Sequence, residues 1–240
     1  FYMVYTKLMD FVKVYPKTIP NEVCDNIVKK FESSKKVESY VGMEDKHREG
    51  GEGHKDYDIR HGLEINITNS DDPEWNYYQQ ILQSNAINHI NQYKEELEND
   101  HKEAAKHIRG MSGEVGVNSG FGQFYVPENQ IRLEHFRVRK YAVMSKDLPK
   151  GDYFNLHIDI QNYYTAKRFM VILLYLNDVK EGGETSFPFL DYADGNGAVK
   201  PTKGSLLMFY PSFMYPHTAY PPISESKYTA QTYLHYADGA

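Results

Sequence analysis

The chain has one cysteine, Cys24, and one tryptophan, Trp75, in 240 residues. A single thiol excludes an intrachain disulfide and any cysteine-built metal site, and it fits a reducing compartment. Long apolar runs are also missing. The longest, residues 169–176, is far too short to cross a bilayer. The first fifteen residues are apolar but interrupted by Lys7, Asp10 and Lys13, which is not the layout of a secretory leader. Nor is there a positive excess: the formal net charge is −6, which argues against a protein that tracks nucleic-acid phosphates. The expectation is a soluble, cytoplasmic protein with neither nucleic acid nor membrane as a partner.

What is present is an ordinary globular composition, 40% hydrophobic and 25% charged, in a chain long enough to bury a sizeable core. The 21 tyrosines suit strands and a pocket lined by amphipathic rings. Residues 13–16 read as a short strand entering a turn. Pro20 and Asn21 then open a helix whose apolar stripe is Val23, Ile27, Val28 and Phe31. Residues 42–62, rich in charge and glycine and carrying His47, His54 and His61, read as an exposed loop. Residues 63–67 alternate as a strand. Asp71-Asp72-Pro73-Glu74 begins a helix that the spacing extends from Trp75 to about Ile108, and residues 111–122 are a Gly/Ser-rich loop.

After Phe124 the texture changes. Eight short segments of strand character follow one another, at 131–143, 153–160, 168–176, 184–189, 198–200, 205–210, 217–219 and 227–235, with no helical pattern among them. The predicted fold class is α+β: a double-stranded β-helix, or jelly roll, with supporting N-terminal helices. The expected division is a helical and α+β support region over 1–123 and a jelly-roll core over 124–240, together one functional unit.

His157 and Asp159 are two apart in the strand-like segment 153–160, so on a strand both side chains leave one face. An imidazole and a carboxylate so placed are two thirds of a facial metal site of the non-haem iron type. The pair alone is weak evidence, because chance supplies about 0.6 His-x-Asp pairs in this composition. A second one, His54-Lys55-Asp56, does occur, in a glycine-rich stretch without strand alternation. A third ligand can come from a distant strand, and His217 is the candidate.

The order of motifs is what carries specificity. His157-Ile158-Asp159 is followed by Arg168 and the Leu-Tyr-Leu-Asn-Asp run at 174–178. Next come the Gly-Gly-Glu-Thr-Ser-Phe-Pro turn at 182–188, the basic, Gly-turned strand entry at 200–209, then His217 and Lys227. This order resembles the iron(II)/2-oxoglutarate dioxygenases, and within them the prolyl 4-hydroxylase-like branch, over residues 131–236. The N-terminal stretch from Tyr15 to Cys24 also resembles how such domains begin.

The resemblance implies iron(II) held by His157, Asp159 and His217, with dioxygen and 2-oxoglutarate as cosubstrates and ascorbate supporting activity. It implies that Lys227 pairs with the far carboxylate of 2-oxoglutarate and that Tyr141 donates a hydroxyl to it. The carboxylate ligand Asp159 implies hydroxylation rather than halogenation. Where the family often has a threonine that can contact 2-oxoglutarate, this chain has Val171, and residues 145–152 look like an inserted loop. Arg137 and Arg139, of the same strand parity as Tyr141, and Tyr163 and Tyr164, just beyond the metal strand, are the candidates for meeting substrate. His135 and His235 read as core or surface residues, and Gly182 and Gly183 as turn residues. The implied activity is a peptidyl-prolyl 4-hydroxylase. The alternatives are a hydroxylase of a free amino acid or other small molecule, and a cupin-like module that binds metal or ligand without turnover.

Overall fold

The computed structural model describes residues 11–39, 56–105, 131–163, 165–190 and 197–237. The predictions for 42–55 (including His47 and His54), for the loop 111–122, for the last helical residues 106–108, for Tyr164 and for a division at 123/124 lie outside the described residues.

β1 (Lys13–Tyr15) leads into α1 (Asn21–Ser33), then β2 (Val37–Glu38) and β3 (Leu63–Asn66). α2 (Pro73–Ala105) follows. Its start is dictated locally: Asp72 Oδ1 accepts the backbone N–H of Glu74 at 2.9 Å, with Pro73 at the first helical position. The strands β4 (Ile131–Leu133), β5 (Arg137–Tyr141), β6 (Phe154–His157), β7 (Arg168–Tyr175), β8 (Thr185–Ser186), β9 (Ala198–Val199), β10 (Leu206–Phe209), β11 (His217–Ala219) and β12 (Lys227–Tyr236) complete the chain. They form two sheets. The larger runs β1-β10-β7-β12-β5-β3-β2, with β4 also pairing β12; the smaller runs β6-β11-β8-β9. Every pairing is antiparallel, and the result is a jelly roll backed by helices.

Strand alternation divides the larger sheet into two chemistries. Val138, Ile172, Leu174, Leu206, Met208 and Ala230 face the helices, meeting Ile27, Phe31, Trp75, Tyr78 and Leu82 in the main core. Residues of the opposite parity face the smaller sheet. There Val171, Tyr175, Leu207 and Phe209 join Phe187 and Tyr215 in a second apolar cluster at one end. At the other end the same inner face carries Glu64 on β3, Arg137, Arg139 and Tyr141 on β5, and Lys227, Thr229, Gln231 and Tyr233 on β12.

The strand expected over 131–143 is two strands, β4 and β5. The chain leaves the ladder between them because Phe136 bonds sideways: its N–H donates to Thr68 Oγ1 at 2.7 Å and its carbonyl accepts from Ile67. The loop over 145–152 is closed at its base. Asp152 N–H donates to the Ala142 carbonyl, Ala142 N–H donates back to Asp152 Oδ2 at 2.7 Å, and His61 Nδ1 pairs with the other carboxylate oxygen.

Candidate metal centre and its cleft

β6 ends at His157, and Asp159 stands beyond the strand, in contrast to the expectation of one strand presenting both. They nevertheless converge, since β6 pairs with β11 and brings His217 directly opposite His157. Candidate ligand atoms from His157, Asp159 and His217 all lie within 4.8 Å of one another. Asp159 Oδ1 is 3.8 Å from His157 Nε2, and Oδ2 is 3.4 Å from His217 Nε2.

The tautomers follow from the neighbours. His157 Nδ1 lies 2.7 Å from the Asn155 carbonyl, and His217 Nδ1 lies 3.1 Å from that of Tyr215. A carbonyl only accepts, so each Nδ1 carries the proton and each Nε2 points its lone pair at the cluster. Burial, and then the neighbouring His217, hold the His157 imidazole down to about 3, so it is neutral at physiological pH. Burial pushes the Asp159 carboxyl up. His217, His157 and Arg168 and the hydrogen bond from Tyr233 more than offset this, holding it below its ordinary range.

Tyr233 Oη donates to Asp159 Oδ1 at 2.7 Å, while Asp159 Oδ2 is buried with no hydrogen-bond partner. An ionised carboxylate facing two imidazole lone pairs, with one oxygen sealed from water and unbonded, is an arrangement that is costly alone. Two neutral imidazoles and one carboxylate are a donor set that suits a divalent first-row metal. The residues therefore fit such an ion.

Arg168 holds Asp159 from the other side. Its Nε and Nη2 make a two-point pair with Glu134, each at 2.7 Å. Its Nη1 donates to the Asp159 backbone carbonyl at 3.2 Å, and the guanidinium lies 3.8 Å over the Tyr233 ring.

Behind the cluster, a small pocket runs between the sheets to Lys227, walled by Tyr141, Val171, Thr185 and Thr229. Lys227 is 1% exposed. Its ammonium donates to the Gly183 carbonyl at 2.8 Å and lies 4.7 Å from the centroid of the Tyr141 ring, which sits directly opposite on β5. Burial draws its pKa down to about 7, with Glu184 opposing. Thr229 Oγ1 in the same wall is buried without a partner. The Gly182-Gly183 turn thus has a use beyond reversing the chain. Gly182 has φ +73°, and a Cβ there would sit 2.5 Å from the Pro221 carbonyl oxygen, so only glycine delivers the Gly183 carbonyl to Lys227 without strain.

In front of the cluster opens a cleft of about 310 Å³. Arg137 and Arg139 line it, and so do His135 and His235; Tyr163, 88% exposed, does not. Arg60 also lines it, although the reading of 42–62 as an exposed loop had placed it at the surface. Arg60 is 5% exposed, held by a β-bridge to Phe154, and its guanidinium lies 4.8 Å over the Phe154 ring. That ring stacks on His157 at 3.4 Å. Glu64 receives Arg60 at 3.1 Å, Arg137 at 3.0 Å and Arg139 at 3.1 Å. From Arg139 a chain of hydrogen bonds passes to Gln231, from Gln231 to Tyr233 at 2.8 Å, and on to Asp159.

Sequence reasoning passed over Arg60, Thr229, Gln231 and Tyr233. The parity of β12 was the available signal: Thr229, Gln231 and Tyr233 share the face of Lys227. Nothing comparable marks Arg60, whose position depends on one isolated bridge.

Residues 138–235, which include all three members of the cluster and Lys227, match the 2OG-Fe(II) oxygenase superfamily. Two curated Arabidopsis thaliana sequences are similar to part of the chain. "Probable prolyl 4-hydroxylase 9" is 36% identical over 95 residues, 33% of this chain and 31% of that protein. "Probable prolyl 4-hydroxylase 10" is 32% identical over 97 residues, 33% of each. The matched stretch thus spans about a third of each relative's length.

Solved structures align over nearly the whole chain. The viral collagen prolyl hydroxylase of Paramecium Bursaria Chlorella virus-1, in its 2OG complex, superposes with TM-score 0.57 and 15% identity, over 95% of this chain and 97% of its own. A Trichoplax adhaerens prolyl hydroxylase in complex with a hypoxia inducible factor peptide fragment gives 0.57 and 17%, over 94% and 84%. At these identities the likeness is one of fold, the oxygenase jelly roll with its helical backing. No helix among the described residues is long and apolar enough to cross a membrane.

Proposed function

We propose that the chain is an iron(II)- and 2-oxoglutarate-dependent hydroxylase acting on proline within a peptide. The observation that carries this reading is the Asp159 carboxylate, its Oδ2 orphaned and its two oxygens each facing one unprotonated Nε2, at the junction of cleft and pocket. His157, Asp159 and His217 would hold iron(II). When bound, the ion supplies dioxygen activation driven by the oxidative decarboxylation of 2-oxoglutarate to succinate and carbon dioxide.

The chain's own residues do the rest. Lys227 would pair with the far carboxylate of 2-oxoglutarate in a desolvated pocket, where a well-made ion pair is strong; the Tyr141 ring and hydroxyl and Thr229 would close around it. Arg168 and Tyr233 fix the Asp159 carboxylate. The cleft would receive the peptide, with Arg137 and Arg139 on its wall. The peptide substrate is supported by the prolyl hydroxylases among the relatives and neighbours, one of them bound to a peptide fragment. Ascorbate would sustain turnover by keeping the iron reduced, and the lone buried Cys24 fits a reducing, cytoplasmic setting.

The test is succinate formation from 2-oxoglutarate with iron(II) and ascorbate, with and without proline-rich peptides. The expected result is peptide-stimulated succinate, abolished in Asp159→Ala. Absence of succinate with every peptide would sink the hydroxylase reading, and undiminished activity in Asp159→Ala would sink the assignment of the ligands.

A further inference from the structure

The cleft has a charge that the proposed chemistry does not use. Its described lining includes the cations Arg60, Arg137, Arg139, Lys167 and Arg168 and, apart from Asp159 in the metal cluster, the acids Glu64 and Glu134. Glu134 is committed to Arg168 in a two-point pair. The other arginines, Arg60, Arg137 and Arg139, converge on the single carboxylate of Glu64.

A purely structural brace accounts for one of them. Arg139 sits opposite Glu64 in the β3–β5 register, and one guanidinium neutralises one carboxylate. Each further buried guanidinium adds a desolvation cost. The crowding is visible in the charges themselves. Glu64 is held at about 2: burial opposes, and Arg139, Arg60 and Arg137 prevail. Arg60 is drawn below its ordinary value by burial and then by the like charge of Arg139. Arg60 and Arg137 are engaged elsewhere as well; what would recognise an anion here is the sign of the cluster, not a vacant guanidinium.

The cluster's place says where that anion would sit. Arg60 is over Phe154, and Phe154 is stacked on His157, so the positive charge lies two ring layers from the metal cluster. Arg139 and Arg137 stand beside Thr229 and Gln231, respectively one and two steps along the inner face from the Lys227–Tyr141 pair. Successive residues of an extended peptide are about 3.5 Å apart, and the cluster residues His157 and Asp159 line the same cleft as this wall, so a residue next to the reacting one shares that cleft with the arginines.

We propose that the cleft reads a carboxylate on the substrate: the hydroxylated residue is flanked directly by aspartate or glutamate. This rests on the cleft being the substrate side of a hydroxylase, and it deepens that reading by naming the substrate's charge. Guanidinium groups and carboxylates match in a planar, two-point geometry, and the negative net charge of the whole chain makes a local positive cleft selective rather than generally sticky.

Binding without turnover provides the test. Fluorescent peptides, N-acetylated and C-terminally amidated, carry a central proline flanked by Glu or, in a matched twin, by Gln; anisotropy reads their affinity for the chain. The Glu peptide should bind about tenfold tighter at low salt. The ratio should fall toward one in Arg137→Gln and at high salt. Equal affinity of the twins for the unaltered chain, or a ratio unchanged by both Arg137→Gln and salt, overturns the proposal. If Arg137→Gln does not fold, the salt dependence and a third, Lys-flanked twin decide it, with weaker binding than the Gln twin expected. N-acetylglutamate amide competing as tightly as the Glu peptide would overturn the peptide as the source of the carboxylate. Succinate assays separate the layers. Equal KM for the twins keeps the hydroxylase and removes the acidic preference, whereas a binding preference without succinate does the reverse.

Discussion

Lys227 is the residue whose environment makes the sharpest demand on solution conditions. Its ammonium is buried, with a carbonyl and a ring face as its contacts, and its pKa falls to about 7 from an ordinary 10.5. The unfolded chain therefore binds a proton that the folded chain releases between about pH 7 and 10.5. Over that window stability rises with pH, and below 7, where both states are charged, the burial cost is fully present. A dianionic ligand acts in the opposite sense by restoring the charged form. Binding of 2-oxoglutarate is expected to take up a proton above pH 7 and to weaken as pH rises further. Calorimetry in two buffers of different ionisation enthalpy checks this. Lys227→Ala should remove the proton uptake and raise the 2-oxoglutarate requirement sharply; a normal requirement in that variant would reassign the lysine.

At the scale of elements, the same chain shows what a sequence discloses and what it withholds. The helices were legible from caps and period: Pro20 before α1, and Asp72 with Pro73 at the start of α2. The strands were legible from alternation, because a jelly-roll strand has a core side and an inner side. His157, His217 and Lys227 could be found because motif order and β-parity constrain them. The break between β4 and β5 could not, since it is made by Thr68, distant in sequence, taking the Phe136 N–H. Arg60 was hidden for the same reason: its burial comes from a bridge to Phe154 across ninety-odd residues of chain. Local pattern reports local causes, and the cleft in front of the metal cluster is built from distant ones. The 182–183 turn offers a test at this scale. Gly182→Ala forces a Cβ against the Pro221 oxygen and should cost about 1 kcal/mol or more. Because the turn carries the carbonyl that holds Lys227, 2-oxoglutarate binding should weaken as well, read by urea unfolding and calorimetry on the same variant. Loss of stability with unchanged 2-oxoglutarate affinity would show that the turn does not position the lysine.

Taken whole, the molecule is two sheets that meet at the metal cluster: His157 and His217 belong to the smaller sheet, and Asp159 is held by Tyr233 of the larger one. A divalent ion bound there ties the sheets together and binds only the folded state. At a hundredfold excess over its dissociation constant it should add about 2.7 kcal/mol, or roughly 5–10 °C in Tm for a chain of this size. Thermal scans with manganese(II), which avoids oxidation, check this in the unaltered chain and in Asp159→Ala, where the shift should vanish.

β12 lies at the centre of the larger sheet, with β7 on one side and β5 and β4 on the other, so it joins two halves of that sheet. Without β12, β7 keeps β10 and β5 keeps β3, but the facing sides of β7 and β5 are left as bare edges. Such edges invite pairing with other chains. A molecule whose β12 detaches is therefore expected to aggregate through two edges at once, not one.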